Sequence, residues 1–326
     1  MSSIGTIEWQ KCYGGTCNDE ATEIKSTPDG GYIISGWTCS NDGDVAGNHQ
    51  FPLTDCWVVK LSSIGSIEWQ KCLGGTGFDG AKKIEQTPDG GYILAGYTES
   101  NDGDVAGNHG GADAWVVKLS TNGNLEWQKC LGGSGFEYAN SLQKTSDGGY
   151  IILSDTTSND GDVAGNDSGT NQADVWIVKL NPSGVIEWQK CFGGSNIENA
   201  MKIQQTPDSG YIYAGWTYSS NDGDISGNHD SGDIWVVKLT SEALGIPEYT
   251  NNDFEIYPNP AFESLFLKTN NAIISIEITD LAGKIVKVEK SNLDCNPIRL
   301  DDLDQGFYIL RATTEKKKYT KKFVKK

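Results

Sequence analysis

The residues with the clearest chemical potential are carboxylates and amides set in a loop that recurs along the chain. In its second occurrence the loop reads Ser100-Asn101-Asp102-Gly103-Asp104-Val105-Ala106-Gly107-Asn108-His109, with Asp113 shortly after. Counting Asp102 as position one, Asp104 is three, Gly107 six, Asn108 seven and Asp113 twelve. Oxygen donors alternating around a glycine that permits a sharp turn are the pattern of a calcium loop. The candidate ligand sets are Asp42, Asp44, Asn48 and Asp55; Asp102, Asp104, Asn108 and Asp113; Asp160, Asp162, Asn166 and Asp174; and Asp222, Asp224, Asn228 and Asp233. The match has two departures. Position five is Ala46, Ala106, Ala164 or Ser226, and the closing acid slips to positions fourteen and fifteen at Asp55 and Asp174. An Asx-turn loop, whose side chains satisfy its own amides, fits the same residues. Calcium and the self-satisfied loop both stand at this point, and no motif for an organic cofactor is present.

A second set of acids, Asp19, Asp79, Glu137 and Glu198, each follows a Gly-Gly pair. These would either crowd a channel mouth or cap backbone amides. His49, His109 and His229 share one loop position, where the remaining copy has Asp167. Lying on separate units, they read as surface residues rather than a soft-metal site. Cys12, Cys72, Cys130 and Cys191 are repeat-equivalent and too far apart to bridge. Cys39 and Cys56 occur only in the first copy, on either side of its enlarged loop, and are the predicted disulfide; Cys17 and Cys295 are unassigned. No Cys-x-x-Cys spacing, Ser-His-Asp order, Gly-x-Ser-x-Gly elbow or phosphate loop occurs. Acids in fourfold copies argue for repeated binding or structure over one asymmetric catalytic pair. The place where the repetition breaks is Ser154-Asp155, read against Ala/Ser-Gly in the other copies.

The elements that must hold these loops come from internal repetition. Trp-Gln-Lys-Cys-x-Gly-Gly begins at Trp9, Trp69, Trp127 and Trp188, at near-constant intervals. Asp-(Gly/Ser)-Gly-Tyr begins at Asp29, Asp89, Asp147 and Asp208, and Trp-(Val/Ile)-Val-Lys-Leu at Trp57, Trp115, Trp176 and Trp235. Each unit reads as four strands, in the second copy 81–87, 91–98, 114–120 and 124–131. Pro88-Asp89-Gly90 and Asn122-Gly123 supply the tight turns. The run Tyr92-Ile93-Leu94-Ala95-Gly96 does not alternate, which predicts a strand buried on both faces. Four antiparallel strands at this period describe a β-propeller blade, and the units resemble WD-type blades in their inner strand, Asp-Gly turn and Trp-bearing third strand. The predicted architecture is all-β: a four-bladed propeller, or part of a larger one, over residues 1–240. Residues 7–12 repeat the fourth strand and would complete the last blade, which otherwise stops after its third. The likeness of Met1-Ser2-Ser3-Ile4-Gly5 to Leu61-Ser62-Ser63-Ile64-Gly65 reads equally as a cut inside a longer array.

Composition separates the rest of the chain. The 326 residues carry a formal charge of −18; residues 1–245 hold 13 Lys+Arg and 32 Asp+Glu, residues 246–326 hold 13 and 12. So acidic a surface repels phosphate and excludes nucleic acid as a partner. No stretch reaches the ~18–20 apolar residues of a membrane helix, so no transmembrane segment is predicted. Residues 241–252 lack repeat features and read as a linker.

Beyond the linker, residues 253–326 carry Tyr257-Pro258-Asn259-Pro260, then Asp280-Leu281-Ala282-Gly283-Lys284, then Leu303 with Gly306 and Tyr308, and a basic end, Lys321-Lys322-Phe323-Val324-Lys325-Lys326. In this order they resemble, from Phe254 to Lys326, the type A sorting domain of the type IX secretion system of Bacteroidota. The resemblance implies a small Ig-like β-sandwich that partners the secretion machinery and directs export across the outer membrane. It implies removal as the cargo is released or anchored to surface lipopolysaccharide. Such cargo also needs an amino-terminal signal peptide, and residues 1–10 have no basic-then-apolar run. The expectation is a processed or recombinant form, or an upstream-truncated fragment. Together these readings predict a secreted or surface-displayed propeller that binds a glycan or protein on its long-loop face. A polysaccharide hydrolase or lyase, and a structural spacer, are the alternatives.

Overall fold

The computed structural model describes residues 5–166, 172–229, 231–240, 254–269, 273–280, 284–290, 297–314 and 318–326. The linker and Asp167, Gly283 and Cys295 lie outside them. Contacts divide the chain into two units, Met1–Ser241 and Glu242–Lys326.

The first unit is built of blades. Blade one is β1 (Asp19–Ser26), β2 (Tyr32–Thr38), β3 (Asp55–Leu61) and β4 (Ile67–Leu73); blade two is β5 (Asp79–Gln86), β6 (Tyr92–Thr98), β7 (Asp113–Leu119) and β8 (Leu125–Leu131). Blade three is β9 (Glu137–Lys144), β10 (Tyr150–Thr156), β11 (Asp174–Leu180) and β12 (Ile186–Phe192); blade four has β13 (Glu198–Gln205), β14 (Tyr211–Thr217) and β15 (Asp233–Leu239). Each sheet is antiparallel in chain order. The strands expected in the second copy fall within one or two residues of β5–β8, and β6 is buried through its first five residues.

A blade has two apolar faces, and consecutive blades cover one another's, while the first face of blade one, with Trp57, Val59 and Leu61, is packed by Tyr13, Val45 and Cys72. Ile33, Cys56 and Val58 of blade one pack with Leu94, Trp115 and Val117 of blade two. Ile93, Ala95 and Val116 of blade two meet Ile152, Trp176 and Val178 of blade three, and the pattern repeats into blade four. This explains the non-alternating second strands: successive side chains face different neighbours, and both faces are dry. The inner strands carry a bulge at the same place, leaving Thr22, Lys82, Asn140 and Met201 without a cross-strand partner. Three of these reach into the next blade. Thr22 Oγ1 donates to Ala81 O (2.7 Å), Lys82 Nζ to Asn140 Oδ1 (2.7 Å), and Asn140 Nδ2 to Ala200 O (3.2 Å).

Within a blade, a lysine on the third strand ties three elements. Lys118 is buried and pairs with Asp89 of the β5–β6 turn (2.9 Å) and Glu126 of β8 (3.0 Å). Lys60 and Lys179 do the same with Asp29 and Glu68, and with Asp147 and Glu187. Among the described residues Lys238 in blade four has Asp208 alone of such a pair. Trp57, Trp115 and Trp176 each donate Nε1 to a fourth-strand glutamine, Gln70, Gln128 or Gln189.

Completion of the last blade by residues 7–12, one of the two readings of that segment, is not seen: among the described residues they form no strand, and the blade-four sheet has three. They lie against blade one instead, with Trp9 edge-on to Tyr32 and Lys11 Nζ donating to Gly65 O. Trp69, Trp127 and Trp188 meet Tyr92, Tyr150 and Tyr211 of the following blade in the same way. The segment therefore occupies the place of a preceding blade's fourth strand. Nor do Cys39 and Cys56 pair: the disulfide is Cys17–Cys39, with Cα atoms 5.5 Å apart. β1 and β2 pair Asp19 with Thr38, so Cys17 and Cys39 continue that ladder, whereas Cys56 points into the blade-one/blade-two core.

The second unit is a β-sandwich. β16 (Phe254–Tyr257), β17 (Ser264–Thr269) and β20 (Ile298–Arg299) form one sheet. The other runs β19 (Ile285–Lys290), β18 (Ile273–Asp280), β21 (Gly306–Thr314), β22 (Lys318–Lys325). Phe254, Leu265, Ile278, Leu310 and Phe323 fill the space between.

Two measurements check this account. Peptide mapping without reduction should recover a Cys17–Cys39 link and none between Cys39 and Cys56. Replacing both bonded cysteines by serine should lower stability by about 2–4 kcal/mol for a loop of this size. The lysine clusters predict acid sensitivity. Asp89 is lowered to about 2, chiefly by the Thr87 hydroxyl, with Lys118 and the Gly91 amide helping against burial. Against burial, the Thr145, Lys179 and Gly149 donors lower Asp147 to about 2 as well. A depressed carboxyl stabilises the fold above its ordinary value near ~4 and loses that contribution as pH falls towards the folded value. The melting temperature should therefore drop from pH 4 to pH 2, less steeply in Asp89→Asn.

Candidate functional site

The long loops between second and third strands lie against the Gly-Gly loops that precede the inner strands, and this contact organises one face of the array. Asp42 accepts from Thr16 N (2.8 Å) and Thr16 Oγ1 (2.9 Å); Asp102 does so from Thr76 at 2.8 Å each. Asp160 accepts from Ser134 N, and Asp222 from Ser195 N and Oγ. Asp44, Asp104 and Asp224 take the Gly14, Gly74 and Gly193 amides at 3.3–3.4 Å, and the Asp162 amide donates to Gly132 O. Asn48 and Asn108 each donate from Nδ2 to two backbone carbonyls, Thr38 and Leu53, Thr98 and Gly111. Asn166 reaches Thr156 O and Ser158 O, and Asn228 reaches Ser219 O. Even position five is engaged, since Ala46, Ala106 and Ala164 carbonyls accept from Gln70, Gln128 and Gln189. Donors that the spacing brings into one loop thus point to separate partners. Among the described residues, no three of His, Cys, Asp and Glu converge where a metal ion could sit.

The loop histidines are held by the closing acids. His49, His109 and His229 place Nδ1 at 2.6, 2.7 and 2.8 Å from Asp55, Asp113 and Asp233. Burial works against the His49 imidazolium, but the Asp55 hydrogen bond and the Asp104 and Asp79 charges overcome it and raise its pKa. Burial also raises Asp55 and Asp113, despite those histidines.

The second set of acids does not line an open channel mouth. Asp79, Glu137 and Glu198 are fully buried. Asp19, Asp79, Glu137 and Glu198 accept the Gly15, Gly75, Gly133 and Gly194 amides at 2.8–2.9 Å, and each also accepts the hydroxyl of Thr38, Thr98, Thr156 or Thr217. At the junctions they approach the previous blade's closing acid. A Cβ on Gly74 would sit 2.4 Å from Asp79 Oδ2 and 3.0 Å from Asp55 Oδ1; Gly132 lies likewise between Glu137 and Asp113. Asp55 Oδ1 and Asp113 Oδ1 are buried there without a hydrogen-bond partner.

Sequence reasoning passed over the residues just before these acids. Phe78, Phe136 and Ile197 are exposed by 44, 51 and 38%, beside the long loops, with Phe51 and Tyr218 also exposed. The Phe136 ring borders Gly111 of the preceding blade's loop. The available signal was an apolar residue recurring immediately ahead of each inner-strand acid in three copies.

The break in symmetry also needs correction. Strand pairing sets Ser154 opposite Trp176, as Gly36 and Gly96 stand opposite Trp57 and Trp115. Asp155 therefore replaces an aromatic residue, Trp37, Tyr97 or Trp216. Its carboxylate accepts from Asn140 Nδ2 (2.7 Å), from Asn199 Nδ2 and from Ala200 N (3.2 Å). Lys82 stands beside Asn140 and over the Tyr138 ring, 5.3 Å from its centre. Burial raises Asp155 to about 6, with Asn140, Ala200 and Lys82 acting the other way. The arrangement sets one half-buried acid of β10 among residues from the inner strands of three consecutive blades, Lys82 of β5, Asn140 of β9 and Asn199 of β13.

In the second unit the motif residues staple the sandwich. Asn259 donates Nδ2 to Lys322 O (3.2 Å) and accepts Val324 N (3.0 Å), so Tyr257-Pro258-Asn259-Pro260 is fastened to β22. The Lys284 amide donates to Asp280 Oδ1 (2.9 Å). Gly306 starts β21, and Tyr308 stacks on Phe323 at 5.7 Å and donates to Asp304 O.

Residues 255–326 match the family described as the secretion system C-terminal sorting domain. The chain is accordingly a type IX secretion cargo, secreted from or displayed on a Bacteroidota cell. Comparison with curated proteins gives no match. Among solved structures the chain is similar to a GH43 beta-1,3-galactosidase, at 10% identity and a TM-score of 0.34, covering 90% of this chain and 58% of that one. It is also similar to extracellular domains of a one-component and a hybrid two-component system of B. thetaiotaomicron, at 9 and 11% identity and TM-scores of 0.25 and 0.27. Those matches cover 95% of this chain and 51% of theirs, so the chain spans little more than half the length of the structures it matches.

The Asp155 network makes a signed prediction. A carboxyl raised in the folded state binds its proton more tightly than in the unfolded chain, so its ionisation costs stability as pH rises from 4 to 6. Asp155→Asn should be more stable than the parent at pH 7.5, by up to about 3 kcal/mol. The difference should vanish below pH 4 in paired thermal melts.

Proposed function

We propose that this exported cargo is a binding or adhesion module whose ligand, a glycan or a protein, seats on the long-loop face. The observation that carries the reading is the repeated exposure of Phe78, Phe136 and Ile197 on that face. Rigid aromatic faces supply contact area at low conformational cost, and they stack on sugar rings or apolar side chains. The engagement of the loop acids in local hydrogen bonds supports binding over hydrolysis, since a glycosidase needs two carboxyl groups in different environments flanking one bond. The double variant Phe78→Ala/Phe136→Ala, screened on a glycan array and against cell-surface proteins, should lose at least tenfold in affinity for the best ligand. Unchanged affinity would overturn this face as the site.

The enzymatic alternative rests on Asp155, whose carboxyl is raised to about 6. Turnover of a surface polysaccharide that disappears in Asp155→Asn, with binding retained, would replace the binding reading by a hydrolase or lyase.

Calcium enters the proposal at the blade junctions rather than within a single loop. Asp55 Oδ1 and Asp113 Oδ1, unpartnered and beside a second buried carboxylate, are hard oxygen donors suited to that ion. Millimolar calcium should raise the melting temperature above that in chelator. An identical melt in both would remove calcium from the account.

A further inference from the structure

We infer that the outer face of blade four is a docking surface for a second copy of this chain, which adds its own blade one head to tail. Two surfaces point to this, and both repeat contacts already made three times inside the molecule. Cys56 and Val58 of blade one are completely buried against blade two, but their blade-four equivalents, Ile234 and Val236, are 84 and 56% exposed. The surfaces these positions cover internally, Leu94, Trp115 and Val117 in blade two, have their blade-one equivalents in half-buried Ile34 and in Trp57 and Val59, which are largely buried beside Tyr13 and border a narrow cleft. No strand of blade one packs on blade four as consecutive blades pack on each other.

Strand chemistry selects the same occupant. β15 presents an edge with no partner strand among the described residues. In blades one to three that edge receives a strand whose Gln accepts the third-strand Trp and whose Glu pairs the buried Lys. Among the described residues Trp235 and Lys238 have neither partner in blade four, where Lys238 meets Asp208 and the Leu239 carbonyl. Residues 7–12 carry Ile-Glu-Trp-Gln-Lys-Cys in one exposed segment, already seated on blade one where a preceding blade's fourth strand belongs. Docked on another copy's β15 in the internal register, Gln10 meets Trp235 and Glu8 meets Lys238. The contact is heterologous, so it generates a ring or a longer array rather than a two-fold patch; two copies closing on each other would give eight blades, within the known range.

Light scattering on the purified full chain tests the idea. The expected mass is twice the 35.3 kDa of one chain, or a higher multiple. Ile234→Asp/Val236→Asp, on exposed positions, should return the protein to 35.3 kDa with an unchanged melting profile for the remaining fold. A zero-length carbodiimide should link Glu8 to Lys238 only in bands above one chain's mass. A monomeric parent, a multimer unaffected by the aspartates, or a Glu8–Lys238 link within a single-chain band would each overturn the proposal.

Discussion

The regularity of the first unit depends on one constraint: consecutive blades must dry each other's faces. A four-stranded sheet of this size presents apolar side chains on both sides, and at the three blade junctions it is the neighbouring sheet that takes them out of water. The consequences run through the whole unit. Second strands lose their alternation, junction glycines appear where carboxylates from two blades crowd together, and inner strands bulge so that one side chain crosses to the next blade. Thr22, Lys82 and Asn140 make that crossing with three different chemistries at one structural position. Geometry is repeated while residue type drifts, which is how the array acquires a single polar centre at Asp155 without losing its regularity.

The polar skeleton within each blade answers a second demand. A buried lysine is costly unless it is paired and hydrogen-bonded. Lys60, Lys118 and Lys179 meet that condition by drawing a turn aspartate and a fourth-strand glutamate to one ammonium group. Part of the unit's large acidic excess is therefore not free surface charge. Much of the remainder caps amides of the Gly-Gly loops, so the loop face is ordered by its own acids before any ligand arrives.

How much of this could be read from residue order follows from what spacing encodes. Near-constant repeat intervals, with Pro-Asp-Gly and Asn-Gly turns, were enough to place the blades and nearly all strand boundaries in the second copy. The ordered motifs beyond the linker likewise marked the second unit. Spacing does not encode side-chain direction. Asp102, Asp104, Asn108 and Asp113 have calcium-loop intervals, yet each turns to a different backbone partner. Cys56 is close to Cys39 across a loop but faces a neighbouring blade, while Cys17 lies one ladder step from it. Residues 7–12 have a fourth strand's sequence but no third strand beside them, because a strand's partner is a property of the assembly and not of the segment. Asp155 stands in register with Trp37, Tyr97 and Trp216 rather than with the glycines beside them, which shows only in its cross-strand pairing with Val175.

The clamp made by Asn259 has a consequence for how the second unit folds. Its side chain holds the backbone of residues 322 and 324, and Ala261 bonds to Val324 and Lys326. The opening motif of the second unit thus has nothing to grip until residues 322–326 are in place. The first and last strands of that unit are therefore set by one another, although more than sixty residues separate Asn259 from its partners.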